Sequence, residues 1–139
     1  MTKKLITWTD KYSVGYDIID SQHKKLAGMI NDLYASFTEG KADEIVENIL
    51  TEMIKYTDYH FKTEEDFFEK YNYSETKLHK EQHQGFVAKV TDFYEDFKKE
   101  SVTITYDIMN FLRDWLIEHI QGSDKKFSRE FKNQNISDL

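Results

Sequence analysis

The stretch LHKEQHQGF, residues 78–86, carries two histidines four residues apart. His79 and His83 lie on a line that continues through Phe86, Val90 and Phe93, which is the apolar stripe of a helix. A buried polar atom without a hydrogen-bond partner costs about 1–3 kcal/mol, so each imidazole on this stripe needs partners for its nitrogens. The spacing therefore raises the question of what two imidazoles share inside a core.

All the histidines of the chain fall on such stripes. Glu64 follows one of them by a single helical turn, so the two side chains project from the same helix face. A lone core histidine is usually a structural residue, and Glu64 alone could lie on a solvated face. Together, five imidazoles and a carboxylate favour a shared metal site, because a cation satisfies their polar atoms at once. The histidines are His23, His60, His79, His83 and His119.

The ligand types narrow the choice of metal. Imidazole and carboxylate suit zinc, iron, copper or nickel, and the absence of cysteine excludes thiolate sites. The H-E-x-x-H motif of zinc proteases is absent, and five imidazoles are too many for one tetrahedral zinc ion. Two metal ions bridged by carboxylates would use all of these side chains.

The second bridging carboxylate should come from the helix that carries His119. Asp124 is the nearest acid downstream, but a five-residue spacing turns about 140° around a regular α-helix and points the two side chains apart. We therefore expect the helix to widen, kink or end within IQGSD, residues 120–124, which Gly122 permits.

Four amphipathic patterns position these side chains. Apolar residues recur at helical spacing over residues 19–37, 45–71, 79–97 and 104–119, with short polar breaks between the patterns. The second pattern places Ile45 and Phe67 on its buried stripe. The patterns predict an all-α, up-down-up-down antiparallel four-helix bundle over residues 19–131. We expect Asp17 or Asp20 to cap the first helix and Ser74 the third, and Gly40 to end the first.

The remaining residues flank this bundle in a single predicted domain that covers residues 1–139. Residues 1–18 form an arm that we expect to pack across the bundle, and residues 132–139 form a polar tail. The arm would pack through Trp8, Tyr12, Val14 and Tyr16.

Composition excludes several classes of protein. The absence of proline and a content of five glycines favour long helices over turn-rich β structure. A net charge of −7 argues against a nucleic-acid partner. The N-terminal apolar run is too short for a secretory signal, and no stretch reaches membrane-spanning length. We expect a cytoplasmic protein without a membrane partner, and the lack of cysteine fits a reducing compartment.

The motifs resemble those of the hemerythrin family, in particular its bacterial single-domain members. The resemblance rests on His23, H60-x-x-x-E64, H79-x-x-x-H83 and H119-x-x-x-x-D124, and all of these positions carry the right residue type. The stretches WTDKYSVG, residues 8–15, and IDSQHKKL, residues 19–26, are similar to the N-terminal signature of these proteins.

The resemblance implies a non-haem centre of two iron ions. It assigns His79, His83 and His119 to the first iron, and His23 and His60 to the second. Glu64 and Asp124 would bridge the pair together with an oxo or hydroxo group. The second iron would keep an open position for dioxygen, or for small anions such as azide in the oxidised form.

A dry pocket should surround this open position. Apolar residues that neighbour the ligands in sequence are the candidates for its wall, with ordinary core packing as the alternative explanation. They are Leu26, Phe61, Trp115, Leu116 and Ile120.

Three functions fit such a centre. The first is reversible dioxygen binding for storage, delivery or scavenging, which is not an enzymatic activity. The second is a di-iron enzyme such as a peroxidase or nitric oxide reductase, and the third is an iron- or redox-sensing module. Ferritin-like oxidases use two Glu-x-x-His motifs, and no glutamate precedes a histidine by three residues in this chain. Neutral imidazoles stabilise high-valent iron less than carboxylates do, so histidine-rich ligation favours oxygen binding over oxygen activation.

Overall fold

The computed structural model describes residues 4–40, 43–99, 106–137 and 139, and four helical rods account for most of them. α1 packs against α2 and α4, and α2 packs against α3. α4 continues without a break through a π-helical turn into α5, and these three segments form the fourth rod. The elements are a short 3-10 turn Asp10–Tyr12, α1 Asp17–Thr38, α2 Asp43–Lys70, α3 Thr76–Lys98, α4 Tyr106–His119, the π turn Ile120–Asp124 and α5 Lys125–Asn133.

This architecture confirms the predicted all-α four-helix bundle. The helical rods begin at Asp17 and end at Asn133, two residues outside each predicted limit of 19–131. In the described parts of the chain, no helix combines the length and the apolar character needed to cross a membrane.

The buried faces follow the predicted stripes in α1 and α3 but not throughout α2. Ile45, predicted to be inside, is 46% exposed, and the adjacent Val46 is buried instead. Near the other end of α2, Phe68 is fully buried where the pattern gave Phe67. Each error falls on a pair of adjacent apolar residues, where spacing alone does not decide which one faces the core. Ile104, the first residue of the fourth pattern, lies outside the described residues.

The N-terminal arm, residues 4–16 as described, packs across the bundle. The side-chain amide of Asn31 pairs with both backbone groups of Ile6 at 2.8 Å, which joins the arm to α1. The hydroxyl of Ser128 in α5 donates to the carbonyl of Val14. The hydroxyl of Tyr16 donates to the carbonyl of Ile136 at 2.5 Å. The arm therefore connects the first and last helices.

Two of the predicted caps are wrong. No side chain caps α1 or α3, whose N-cap residues are Tyr16 and Glu75. The carboxylate of Asp20 instead accepts hydrogen bonds from the arm, at 2.8 Å from the Val14 amide. Ser74 donates to Glu130 of the fourth rod instead of to its own helix. Both side chains make tertiary contacts that helix periodicity does not contain.

The fourth rod is predicted to widen, kink or end within residues 120–124, and of these alternatives the structure shows widening, as a π turn. Its glycine does not need special backbone freedom. Gly122 is not among the residues with positive φ, and a Cβ built on it meets nothing within 4 Å. Gly40, which ends α1, has φ +65° as its predicted terminating role requires.

These two glycines predict opposite effects of alanine. Gly122→Ala should raise the free energy of unfolding by about 0.4–1 kcal/mol, because it lowers the entropy of the unfolded chain at a helical position. Gly40→Ala should lower it by roughly 1–2 kcal/mol, because alanine is strained in the left-handed region. Denaturant unfolding followed by circular dichroism measures both. A loss of stability in Gly122→Ala would show that the π turn does depend on glycine.

Candidate metal centre

Seven polar side chains converge in the middle of the bundle, and every rod contributes at least one. α1 supplies one histidine, α2 a histidine and a glutamate, α3 two histidines, and the fourth rod a histidine and an aspartate. All are buried: His23, Glu64 and Asp124 are 0% exposed, His60 1%, His79 and His83 2%, and His119 6%.

Three imidazoles and one carboxylate form the first group. Nε2 of His79 lies 2.9 Å from Nε2 of His119, and Nε2 of His83 lies 3.1 Å from the same atom. Oε1 of Glu64 lies 3.1 Å from Nε2 of His83 and 3.4 Å from Nε2 of His79. These ligand atoms all fall within 4.8 Å of one another, as in a site that could hold one metal ion.

Two imidazoles and two carboxylates form the second group. Nε2 of His23 lies 3.0 Å from Oδ2 of Asp124 and 3.6 Å from Oε2 of Glu64. Nε2 of His60 lies 3.4 Å from the same Glu64 oxygen. This second set also falls within 4.8 Å.

Each carboxylate faces both groups. Oε1 of Glu64 approaches the first group and Oε2 the second. Asp124 does the same, with Oδ1 3.0 Å from Nε2 of His79 and Oδ2 3.0 Å from Nε2 of His23. The two acids therefore lie between the groups, each with one oxygen toward either group.

The polar atoms of this cluster fit a bound cation. Within the part of the chain that the structure describes, both nitrogens of His23 and all four oxygens of Glu64 and Asp124 are buried without a hydrogen-bond partner. The close approaches among them lack the alignment of hydrogen bonds. Buried groups of this kind are costly unless something satisfies them, and nitrogen and oxygen donors without thiolate suit a first-row transition metal.

Protonation compensates these charges when no metal is bound. Burial lowers the pKa of His60 and of His119 to about 4. Burial also opposes protonation of His23 and His79, but the two neighbouring carboxylates outweigh it and raise the pKa of each to about 9. Burial favours the neutral form of Glu64, yet the surrounding histidines hold the pKa of its carboxyl well below the usual value. A metal ion entering the cluster must displace protons.

The π turn explains how Asp124 reaches the cluster. A regular α-helix would place it on the opposite face from His119, whereas π-type i→i+5 bonding brings residues five apart onto one face. Oδ1 of Asp124 lies 3.4 Å from Nε2 of His119.

Aromatic rings cover part of the first group. Phe61 stacks on His83 with ring centroids 3.8 Å apart, and Trp115 stacks on His119 at 4.5 Å. Phe61 also lies 5.8 Å from the ring of His60 in the second group. The other candidate wall residues, Leu26, Leu116 and Ile120, are buried in the same core.

Surface depressions approach the centre on its three-histidine side. One of about 280 Å³ reaches His79, and another of about 240 Å³ reaches His119. Gln82 and Ser123 line both, and the hydroxyl of Ser123 donates to Oε1 of Gln82 at 2.5 Å. This hydrogen bond joins α3 to the π turn between the two depressions.

Two side chains at the centre were missed from sequence. Oε1 of Gln22 lies 2.7 Å from Nδ1 of His60, and Oε2 of Glu65 lies 2.8 Å from Nδ1 of His83. Each is adjacent in sequence to a residue of the cluster, Gln22 to His23 and Glu65 to Glu64. Adjacency was the only signal, and it does not indicate which histidine each would contact.

Comparison with known proteins gives consistent matches. Bacteriohemerythrin of Methylococcus capsulatus is 32% identical over 124 residues, which cover 88% of this chain and 94% of that protein. A hemerythrin-like protein of Naegleria gruberi is 34% identical over 120 residues, covering 86% and 88% of the two chains. The crystal structure of a wild-type hemerythrin matches with a TM-score of 0.84 and 29% identity, over 96% of this chain and 98% of that one.

The family description agrees with the cluster. The hemerythrin HHE cation binding domain matches residues 14–130, a range that contains all seven clustered side chains. The chain therefore belongs to the hemerythrin family.

Proposed function

We propose that the chain holds two iron ions and binds dioxygen reversibly at one of them. The observation that carries this proposal is the shared position of Glu64 and Asp124, each with one oxygen toward either histidine group. The match to a cation binding domain and the similarity to bacteriohemerythrin and hemerythrin support it at the level of the family.

The proposed ligand sets follow the two groups. His79, His83 and His119 hold the first iron, His23 and His60 hold the second, and Glu64 and Asp124 bridge them with an oxo or hydroxo group. Two ferrous ions bring four positive charges, which two carboxylates and a hydroxide reduce to about one, a tolerable charge for a buried site.

The second position is the one proposed for dioxygen. It has two imidazoles where the first has three, so it keeps the open coordination site, which azide would also take in the oxidised protein. When bound, the iron pair supplies one electron from each ion to dioxygen. The protein excludes water around this position, since His23 and His60 are at most 1% exposed.

The composition of the centre favours binding over turnover. Five neutral imidazoles with two carboxylates stabilise highly oxidised iron less than a carboxylate-rich site does. Leu26, Leu116 and Ile120 add apolar surface that offers water no hydrogen bonds. A storage, delivery or scavenging protein needs these properties, whereas an enzyme also needs an electron donor and a proton route.

We predict about two iron ions per chain, because seven ligands exceed what one ion takes. Metal analysis after reconstitution should show clear loss of iron in His79→Ala and in His60→Ala. Gln84→Ala, an exposed neighbour of His83, is the control and should keep the wild-type content. One iron or less in the wild-type protein would count against two ions.

Reversibility has a direct spectroscopic signature. The absorption spectrum of the reduced protein should change on exposure to air and return under argon, because binding leaves the centre intact. Oxygen consumption should stop at about one dioxygen per centre even with excess reductant. Continuous consumption would support the enzyme alternative, and a spectrum that never returns would exclude reversible binding.

Leu116 provides a test of the apolar wall. It lies three residues before His119 on the same rod, is 5% exposed, and shares that helix face. Leu116→Ala should lower the free energy of unfolding by roughly 2–5 kcal/mol and leave space for water beside the centre. Oxygen should still bind, but the oxygenated spectrum should decay faster.

The control for general loosening is Leu112→Ala. Leu112 is 2% exposed and lies one turn further from the ligands on α4. Stopped-flow oxygen binding and the decay of the oxygenated spectrum should be measured for both variants. If Leu116→Ala decays at the wild-type rate, or Leu112→Ala accelerates decay equally, Leu116 acts only in core packing.

A further inference from the structure

Two hydrogen bonds on the outer side of the centre distinguish its two halves. Nδ1 of His60 faces the amide of Gln22 at 2.7 Å, and Nδ1 of His83 faces the carboxylate of Glu65 at 2.8 Å. His60 belongs to the two-histidine group and His83 to the three-histidine group. One group therefore has a neutral outer partner and the other a carboxylate.

The partner of Gln22 fixes the orientation of its amide. The hydroxyl of Thr63 donates its only hydrogen to the carbonyl of Tyr59 at 2.9 Å, so toward Gln22 it can only accept. Nε2 of Gln22 donates to this hydroxyl at 3.3 Å, which leaves Oε1 facing His60. Since that oxygen can only accept, Nδ1 of His60 must carry the hydrogen. Nε2 of His60 then presents its lone pair to the cluster.

Glu65 has the same effect on His83. A carboxylate accepts the Nδ1 hydrogen, which leaves Nε2 of His83, 3.1 Å from Oε1 of Glu64, as the nitrogen that can bind a metal ion. The stacked ring of Phe61, only 4° from parallel, holds the plane of this imidazole. A carboxylate partner also makes the imidazole a stronger donor to a metal, which a neutral amide does much less.

We propose that Gln22 and Glu65 are positioning residues for the two metal ions, and that the charge of Glu65 makes the position at His83 the tighter one. Gln22 and Glu65 each fix the tautomer that turns Nε2 inward. The inference rests on the proposed two-metal centre. It adds an order of affinity: the three-histidine position fills first, and the position with the open site fills second.

Zinc tests this order without oxygen chemistry, because it accepts imidazole and carboxylate ligands and does not change oxidation state. Competition between the full chain and a chelator gives two stepwise dissociation constants. Glu65→Gln keeps an acceptor but removes the charge, and it should weaken the tighter step by about ten- to a hundredfold. Gln22→Glu should tighten the weaker step, and Gln22→Ala should weaken it.

Glu69→Gln is the matched control. Glu69 lies one turn after Glu65 on the same helix, and its carboxylate also pairs across to α3, with Lys80 at 2.6 Å and not with a histidine. Both zinc constants should stay within about twofold of wild type in this variant, because it removes the same charge without touching an imidazole.

NMR of the histidine rings tests the two tautomers directly. In zinc-loaded protein with ¹⁵N-labelled histidine, His60 and His83 should both carry hydrogen on Nδ1. Glu65→Gln should keep this hydrogen at His83 but shift its proton resonance upfield, and Gln22→Ala should speed solvent exchange at His60. A purely structural role would change stability and leave these signals in place.

Several results would overturn the proposal. Unchanged zinc constants in Glu65→Gln, equal losses in Glu69→Gln, or a hydrogen on Nε2 of either histidine would each contradict it. If Glu65→Ala weakened binding while Glu65→Gln did not, the charge would have no role. Fewer than two zinc ions in the wild-type protein would instead overturn the two-metal centre itself, and the inference with it.

Discussion

The burial of two carboxylates and five imidazoles in one core is the constraint on which the rest of this structure depends. Glu64 and Asp124 are fully buried, and an isolated buried charge is far too costly to survive without compensation. Two kinds of positive charge can provide it, protons on His23 and His79 or metal ions. Because both would occupy the same donors, binding of a metal ion would release the protons. The bundle must therefore keep all four rods in register, since each contributes a donor.

The fourth rod shows what this constraint does to local structure. A regular α-helix through residues 119–124 would keep every backbone hydrogen bond in its usual pattern but would turn Asp124 away from the cluster. The π turn gives up that regularity to place His119 and Asp124 on one face. Nothing around Gly122 demands a glycine. The turn therefore follows from the positions that His119 and Asp124 take in the cluster. It does not depend on a flexible glycine at residue 122.

The helices and their order could be predicted from the periodic pattern, and a departure from the regular α-helix within residues 120–124 could be predicted from the five-residue spacing of His119 and Asp124. The buried side of α2 at Ile45 and Val46 could not, since two adjacent apolar residues satisfy the same period. Side chains that bond across the fold, such as Ser74 to Glu130, have no local signal at all. Gln22 and Glu65 have only their adjacency to clustered residues as a signal. Their roles depend on which imidazole from another turn or helix lies opposite, and only the packed bundle determines that.

The protein surface comes closer to one histidine group than to the other, and this difference suits the proposed chemistry. The surface depressions reach His79 and His119, which belong to the group with three imidazoles. In the proposed centre, a metal ion held by these three imidazoles and the two carboxylates would have few coordination positions left for water. The two-histidine group lies deeper, with His23 and His60 at most 1% exposed. Water reaching that side must cross apolar core at a free-energy cost, whereas dioxygen is apolar and crosses it with little penalty. The position proposed for dioxygen thus lies where an apolar ligand would arrive more easily than the water that would displace it.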